Sequence, residues 1–200
     1  MSRARRSLPP AYFERLYAEN PDPWGFAGSD YERAKYEATL AALPRQRYRR
    51  ALEVGCSIGV LTAALAGRCA DLLAVDVAER ALAQARTRCR DLPQVRFARS
   101  RLPDDASAGG FDLIVLSEVV YYWDARDVGR MGACLKQALL PGGHLLLVHW
   151  LGETDYPLSG DDAVQRLLET VAPFTAGLLA SRRDLYRLDL LQRLVREPAA

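Results

Sequence analysis

From residue 51 onward, short apolar runs alternate with longer segments in which apolar residues return every three or four positions. Ala51-Leu52-Glu53-Val54 is too short for a helix and stops at Gly55, so it predicts a buried strand, and 60–68 then shows helical spacing. Leu72-Leu73-Ala74-Val75-Asp76 predicts a second strand, 78–90 an alanine-rich helix of strong formers, and Val95-Arg96-Phe97-Ala98 a half-buried third strand. The run 111–116, preceded by the loop signal Ala108-Gly109-Gly110, predicts a fourth. A helix over 124–139 is expected to stop at Leu140-Pro141-Gly142-Gly143, with a fifth strand over 144–149. A last helix is expected over 161–171. The strand-compatible runs 175–181 and 186–191 are too closely joined to pair other than antiparallel.

Parallel strands need crossover segments, and helices between strands supply them. The pattern therefore predicts an α/β, three-layer, mainly parallel sheet that finishes in a hairpin. Two helical patterns, 11–18 and 31–43, precede the first strand and are separated by Asn20-Pro21-Asp22-Pro23-Trp24. They read as an N-terminal lid or brace over 1–45, attached to a core over 46–200 in a single domain.

Composition narrows the class. Two hundred residues with 50% hydrophobic and 26% charged content are those of a globular domain, and the apolar runs fall far short of a membrane span of roughly 20 residues. The stretch 8–17 is broken by two prolines, Glu14 and Arg15, so no secretory signal is expected and the chain reads as cytoplasmic. Cys56, Cys69, Cys89 and Cys134 are widely spaced, which argues against both a metal site and a disulfide framework. A net charge of +2, with arginines concentrated only at 3–6 and 45–50, gives no reason to expect nucleic acid or membrane as a partner, and nothing in the sequence fixes an oligomeric state.

In an open α/β sheet, ligands bind beyond the carboxyl ends of the strands. After the first strand, Gly55 and Gly59 permit a tight turn and close approach to a helix N-terminus. Asp76, at the end of the second strand, places a carboxylate where it can accept both hydroxyls of a ribose. Together they predict an adenosine site. Gly-Cys-Ser-Ile-Gly lacks the Gly-x-Gly-x-x-Gly spacing of a dinucleotide site, and neither Lys35 nor Lys136 stands near the turn to make a phosphate loop. Glu53 would repel a pyrophosphate but suits a sulfonium and an ammonium, which favours S-adenosylmethionine.

Glu53-x-Gly55-x-x-x-Gly59, Asp76 and Phe111-Asp112-Leu113-Ile114 resemble the motifs of class I S-adenosylmethionine-dependent methyltransferases. More narrowly, Asp22-Pro23-Trp24, Tyr31-Glu32, Leu52 to Cys56, Phe111 to Val119 and Tyr121-Tyr122 resemble the nodulation protein S (NodS) group of N-methyltransferases, over about Tyr12 to Trp150. The broad resemblance implies a Rossmann-like, seven-stranded sheet with an antiparallel last strand. It places Glu53 and the backbone of Gly55, Cys56, Ser57 and Gly59 at the methionine end of the cofactor and Asp76 with Val77 at the ribose. Ser100, Arg101 and Leu102 stand where relatives bind adenine, although an arginine replaces the usual aspartate there. Ser57 takes the place of the family's middle glycine. Trp24 and Tyr31 are implied to close over the methionine end, with Ser117 nearby. The narrow resemblance implies an acceptor that is the free amine of a deacetylated amino sugar or chitooligosaccharide.

At the end of the fourth strand, Ser117-Glu118-Val119-Val120-Tyr121-Tyr122 combines a carboxylate with aromatic rings, as a cationic or amine ligand requires. Glu118 is the expected amine ligand and Tyr121 its neighbour. His149, ending the fifth strand, is a candidate general base, while His144 at the other end of that strand reads as structural. The expected function is S-adenosylmethionine-dependent N-methylation of a small amine-bearing saccharide, with no metal. The alternatives are O- or carboxyl-methylation of another small molecule, and a noncatalytic cofactor-binding module.

Overall fold

The computed structural model describes residues 3–105 and 109–195, so Ala108 of the expected loop signal lies outside the described residues. Two compact units are present: residues 8–101, and residues 3–7 together with 102–195. Residues 3–7 thus go with the second unit, and the helices expected over 11–18 and 31–43 with the first.

In the first unit, α1 (Pro10–Glu19) and α2 (Asp30–Ala41) precede β1 (Ala51–Val54), α3 (Val60–Ala66), β2 (Leu72–Asp76), α4 (Glu79–Arg88) and β3 (Val95–Arg99). The three strands are parallel in the order β3-β2-β1, with Leu52 opposite Leu73 and Leu73 opposite Arg96. All four residues of β1 are buried, as expected of a parallel strand covered on both faces. Ser29 caps α2 by accepting the Glu32 N–H, satisfying one of the donors that a helix start leaves open. Arg68 ties the end of α2 to the approach of β1: its guanidinium donates to the carbonyls of Leu40, Leu43, Arg45 and Gln46. Within α2, Lys35 and Glu32 form a buried ion pair at 2.9 Å.

In the second unit, β4 (Phe111–Ser117) is followed by a 3-10 turn (Val120–Tyr122), α5 (Ala125–Ala138), β5 (Leu139–Trp150), α6 (Gly160–Val171), a short 3-10 turn (Ala172–Phe174), β6 (Thr175–Arg182) and β7 (Tyr186–Arg193). The order is β4-β5-β7-β6, with β4 parallel to β5 and β7 antiparallel to both β5 and β6. The last strand thus inserts between its two predecessors. β4 is buried along its whole length, and Leu145 to Leu147 of β5 are inaccessible to solvent. Helices α5 and α6 approach closely because Gly132 has no side chain; a Cβ there would fall 2.1 Å from Thr170 Cγ2.

The α/β class, the mainly parallel seven strands flanked by helices and the antiparallel last strand agree with expectation. One boundary does not. The fifth strand begins at Leu139, opposite Phe111, rather than at His144. The Pro-Gly-Gly run is not the end of a helix but an irregularity within the strand: register shifts between Phe111 and Leu113, so that His144 pairs with Leu113. A bulge accommodates proline and glycine without ending the strand.

Among the described residues no helix is long and apolar enough to cross a membrane. No cluster of three His, Cys, Asp or Glu side chains is placed there to hold a metal ion. Cys56, Cys69 and Cys89 are buried, Cys134 is half-buried, and no disulfide links them.

Candidate functional site

In the first unit, the loops after β1 and β2 bring the predicted residues together. Gly55 adopts φ 77° and Gly59 φ 79°, and between them Ser57 adopts φ 50°. A non-glycine residue in that left-handed region is uncommon and needs support from its surroundings. Two contacts supply it. The Ser57 N–H donates to Asp76 Oδ2 at 2.9 Å, and the Ser57 hydroxyl meets the Tyr17 hydroxyl at 2.5 Å. Asp76 also accepts the Ala78 N–H at 2.9 Å through Oδ1. Each carboxylate oxygen has two lone pairs, so acceptor capacity toward a ribose remains. Burial raises the Asp76 carboxyl above its ordinary range, the N–H groups of Ala78, Ser57 and Val77 pull it back, and the charge of Glu14 adds to the rise.

Glu53 is 1% exposed and carries a buried Oε2 with no hydrogen-bond partner. Burial pushes its carboxyl up to about 8; the nearby Thr62 hydroxyl pulls it down and the Asp76 charge pushes it further up. No hydrogen bond closes between Glu53 and Thr62, since Thr62 Oγ1 is also buried without a partner. A buried acid with an unsatisfied oxygen costs free energy that a cation would recover.

The bare Cα of Gly59 serves packing as well as turning: a Cβ there would stand 2.9 Å from both Cα and Cβ of Ala85 in α4. Cys56 is buried, with its thiol driven well up by burial. Val77 is half-buried and its carbonyl accepts Arg99 Nε, while the Ser100 N–H donates to the Asp76 carbonyl. Arg101 is exposed, and Leu102 is buried in the second unit. Trp24 packs on Tyr17 edge to face at 5.7 Å and stacks on Phe26 at 5.6 Å. The Tyr31 ring lies 5.4 Å from Lys35 Nζ.

Sequence reasoning missed Tyr17 and Glu14. Tyr17 is buried, and burial together with the charge of Asp76 holds its hydroxyl protonated. Glu14 Oε1 accepts the Glu79 N–H at 2.7 Å, capping α4 from another helix. The helical spacing of 11–18 predicted α1 but carries no sign of which turns its polar residues meet.

In the second unit, the candidate acceptor residues converge on the turn after β4. Glu118 adopts φ 57°, and its Oε2 accepts both the Tyr121 hydroxyl and the Trp150 N–H at 2.8 Å. Ser117 is buried at the end of β4, opposite Val148. Burial, then the charge of Glu118, drives the Tyr121 hydroxyl well above its ordinary value, so it acts as a donor. His149 is inaccessible to solvent, and its Nε2 accepts the Val120 N–H at 3.1 Å. An amide can only donate, so this ring nitrogen holds a lone pair committed to the turn.

Tyr156 was not anticipated. It stacks on Tyr121 at 5.4 Å with 20° between the planes and meets Tyr122 edge to face at 4.7 Å. Tyr122 and Tyr156 are half-buried around the buried Tyr121.

Known proteins resemble the chain in sequence and in fold. The curated Nodulation protein S of Rhizobium tropici is 35% identical over 62% of this chain and 53% of its own length. That of Sinorhizobium fredii is 32% identical over 62% and 59%. The chain thus spans little more than half the length of these relatives. The solved N-methyltransferase NodS of Bradyrhizobium japonicum, in complex with S-adenosyl-L-homocysteine, superposes with a TM-score of 0.76 at 25% identity, covering 92% of this chain and 97% of that one. The model of the family described as Nodulation protein S (NodS) matches residues 13–146, more than half of the sequence, and the chain belongs to that family.

Proposed function

We propose that this protein is an S-adenosylmethionine-dependent methyltransferase that methylates the free amine of a deacetylated amino sugar. The observation that carries the cofactor is Glu53, buried with an unpartnered oxygen beside a left-handed turn that Asp76 holds. These donors and acceptors fit the molecule: Glu53 answers an ammonium, Asp76 has lone pairs for a ribose, and the turn at 55–59 brings backbone close. When bound, S-adenosylmethionine supplies an electrophilic methyl group on sulfur. The amine acceptor is supported by Glu118 among tyrosine rings, and by the description of the Bradyrhizobium relative as an N-methyltransferase.

Methyl transfer by in-line displacement asks a protein mainly to align the reacting groups and keep water out; alignment alone is worth up to about 7–11 kcal/mol. Glu118 orients the amine and receives its proton. Tyr121 and the Trp150 N–H hold the carboxylate in one position. Tyr122 and Tyr156 present ring faces that favour a cationic or amine-bearing ligand. His149 shapes the Val120–Tyr122 turn through its bond to Val120, and in this reading it positions the turn instead of acting as the base.

The test is incubation with methyl-labelled S-adenosylmethionine and a panel: a chitotetraose bearing one free amine, its fully acetylated counterpart, catechols and carboxylic acids. Label is expected in the free-amine saccharide only. Label in a catechol or acid would establish O- or carboxyl-methylation instead, and cofactor binding without any transfer would make the chain a binding module.

A further inference from the structure

The described residues begin with a short segment tied to the second unit at both of its ends. At one end, the Ala4 N–H donates to the Asp155 carbonyl at 2.8 Å, and Arg3 Nη1 donates to the Tyr156 carbonyl at 3.3 Å and to Thr154 Oγ1 at 3.4 Å. At the other, Ser7 is built into the start of α5. Its hydroxyl donates to Asp127 Oδ2 at 2.6 Å and accepts the Asp124 N–H at 3.0 Å, while its own N–H donates to Asp124 Oδ2 at 3.3 Å. Asp124 in turn caps α5 by accepting the N–H groups of Arg126 and Asp127. The segment therefore spans from a helix start fixed by its own capping to the loop that carries Tyr156.

A backbone bond from this loop to the tyrosine turn runs from the Leu158 N–H to the Tyr121 carbonyl at 3.4 Å, a long contact. Bonds to the adjacent carbonyls of residues 155 and 156 fix two successive peptide planes. Those planes set the direction of the Tyr156 Cα–Cβ bond, and so the placement of its ring on Tyr121 and Tyr122.

We propose that residues 3–7 are a strap that positions Tyr156, and that Tyr156, placed in this way, selects acceptors able to lay an amine-bearing ring against it. The second half rests on the methyltransferase reading above. Tyr156 touches the acceptor directly; Ser7 and Ala4 act through it.

The test uses the full chain with Ser7→Ala, a deletion of residues 2–6, and each change combined with Tyr156→Ala. Three quantities are read: hydrogen exchange of backbone amides over 151–159, affinity for S-adenosylhomocysteine, and KM and kcat with the single-amine chitotetraose. Exchange over 151–159 is expected to rise about tenfold or more in the deletion and less in Ser7→Ala. Homocysteine-nucleoside affinity is expected to stay within about twofold, while KM rises about fivefold to twentyfold and kcat changes less than about threefold. Adding the deletion to Tyr156→Ala is expected to change KM no further. Unchanged exchange overturns the strap. Additive KM effects, or a loss confined to nucleoside affinity, overturn the role of Tyr156. If the parent chain transfers no methyl group to the saccharide, the functional reading fails by itself, and the exchange data alone then uphold or overturn the strap.

Discussion

Asp76 Oδ2 accepts the backbone N–H of Ser57, nineteen positions earlier, at 2.9 Å. One carboxylate thereby holds a left-handed serine and has lone pairs beyond that bond, which the proposed function assigns to a ribose. Asp76→Ala is expected to lower S-adenosylhomocysteine affinity by about a hundredfold or more, because turn and ribose contact fail together; a hydrogen bond to a charged group is worth about 1.5–3 kcal/mol. Asp76→Asn keeps one acceptor oxygen and is expected to fall between the two. Calorimetric titration reads both, and parent-like affinity in Asp76→Ala would remove the residue from the site.

Glu53 has a folded-state value of about 8 against an ordinary 4.5. Between those limits the folded chain keeps a proton that the unfolded chain has released. Stability without ligand therefore falls as pH rises from about 4.5 to about 8, by at most about 1.4 kcal/mol per pH unit from this group, and levels off above. Glu53→Gln removes that slope. Its melting temperature is expected to match the parent near pH 5 and exceed it at pH 8, and a parent-like slope would show that another group is responsible.

Ligand binding should report the same proton. An ammonium beside Glu53 favours its ionised form, so uptake of S-adenosylhomocysteine at pH 6.5, chosen about midway in the titration window, is expected to release up to about one proton. Calorimetry in two buffers of different ionisation enthalpy counts it. Glu53→Gln is expected to release none and to bind weakly.

Gly59 combines a positive φ with a Cβ position already filled by Ala85. Gly59→Ala is expected to cost about 1–3 kcal/mol, measured by denaturant unfolding. Gly59→Ala with Ala85→Gly removes the contact with the Ala85 Cβ but leaves the contact with its Cα, also at 2.9 Å, and the strained backbone. Recovery of stability in the double variant would show that the Cβ–Cβ contact sets part of the cost, and parent-like stability of Gly59→Ala alone would show that the position tolerates a side chain.

For Glu118, the Gln variant retains shape and an acceptor oxygen but not the charge. Transfer to an amine is expected to fall by about a hundredfold or more, in the range of general acid–base effects. Retention within about threefold would exclude Glu118 from proton handling. Tyr121→Phe removes one of the two donors to Oε2 and is expected to have a smaller effect.

The strands most legible in the sequence were those with abrupt ends. β1 and β2 fall on the residues the apolar runs predict, because Gly55 and Asp76 interrupt hydrophobic runs that have nowhere else to go. Local pattern failed at 140–143, where Pro-Gly-Gly reads as a terminator and only pairing with β4 reveals a bulge. In the candidate site, Glu53, Ser57 and Asp76 were visible because their positions relative to the strand ends carry meaning. Ser7, Glu14 and Tyr156 were not. Ser7 meets α5 117 and 120 positions away and Glu14 meets α4 65 positions away, distances at which no periodicity speaks. Tyr156 lies in a loop, and its neighbours are chosen by the fold.

Because β7 lies between β5 and β6, the order in which the strands leave the ribosome differs from their order across the sheet. β6 has no strand to pair with until Tyr186 to Arg193 have followed, and its Leu178 and Leu179 remain exposed in the folded sheet. A protein cut short before Tyr186 would leave the inner β5 with a bare edge, and such an edge recruits other chains. Pairing with β7 is what covers that edge of β5 in the complete sheet.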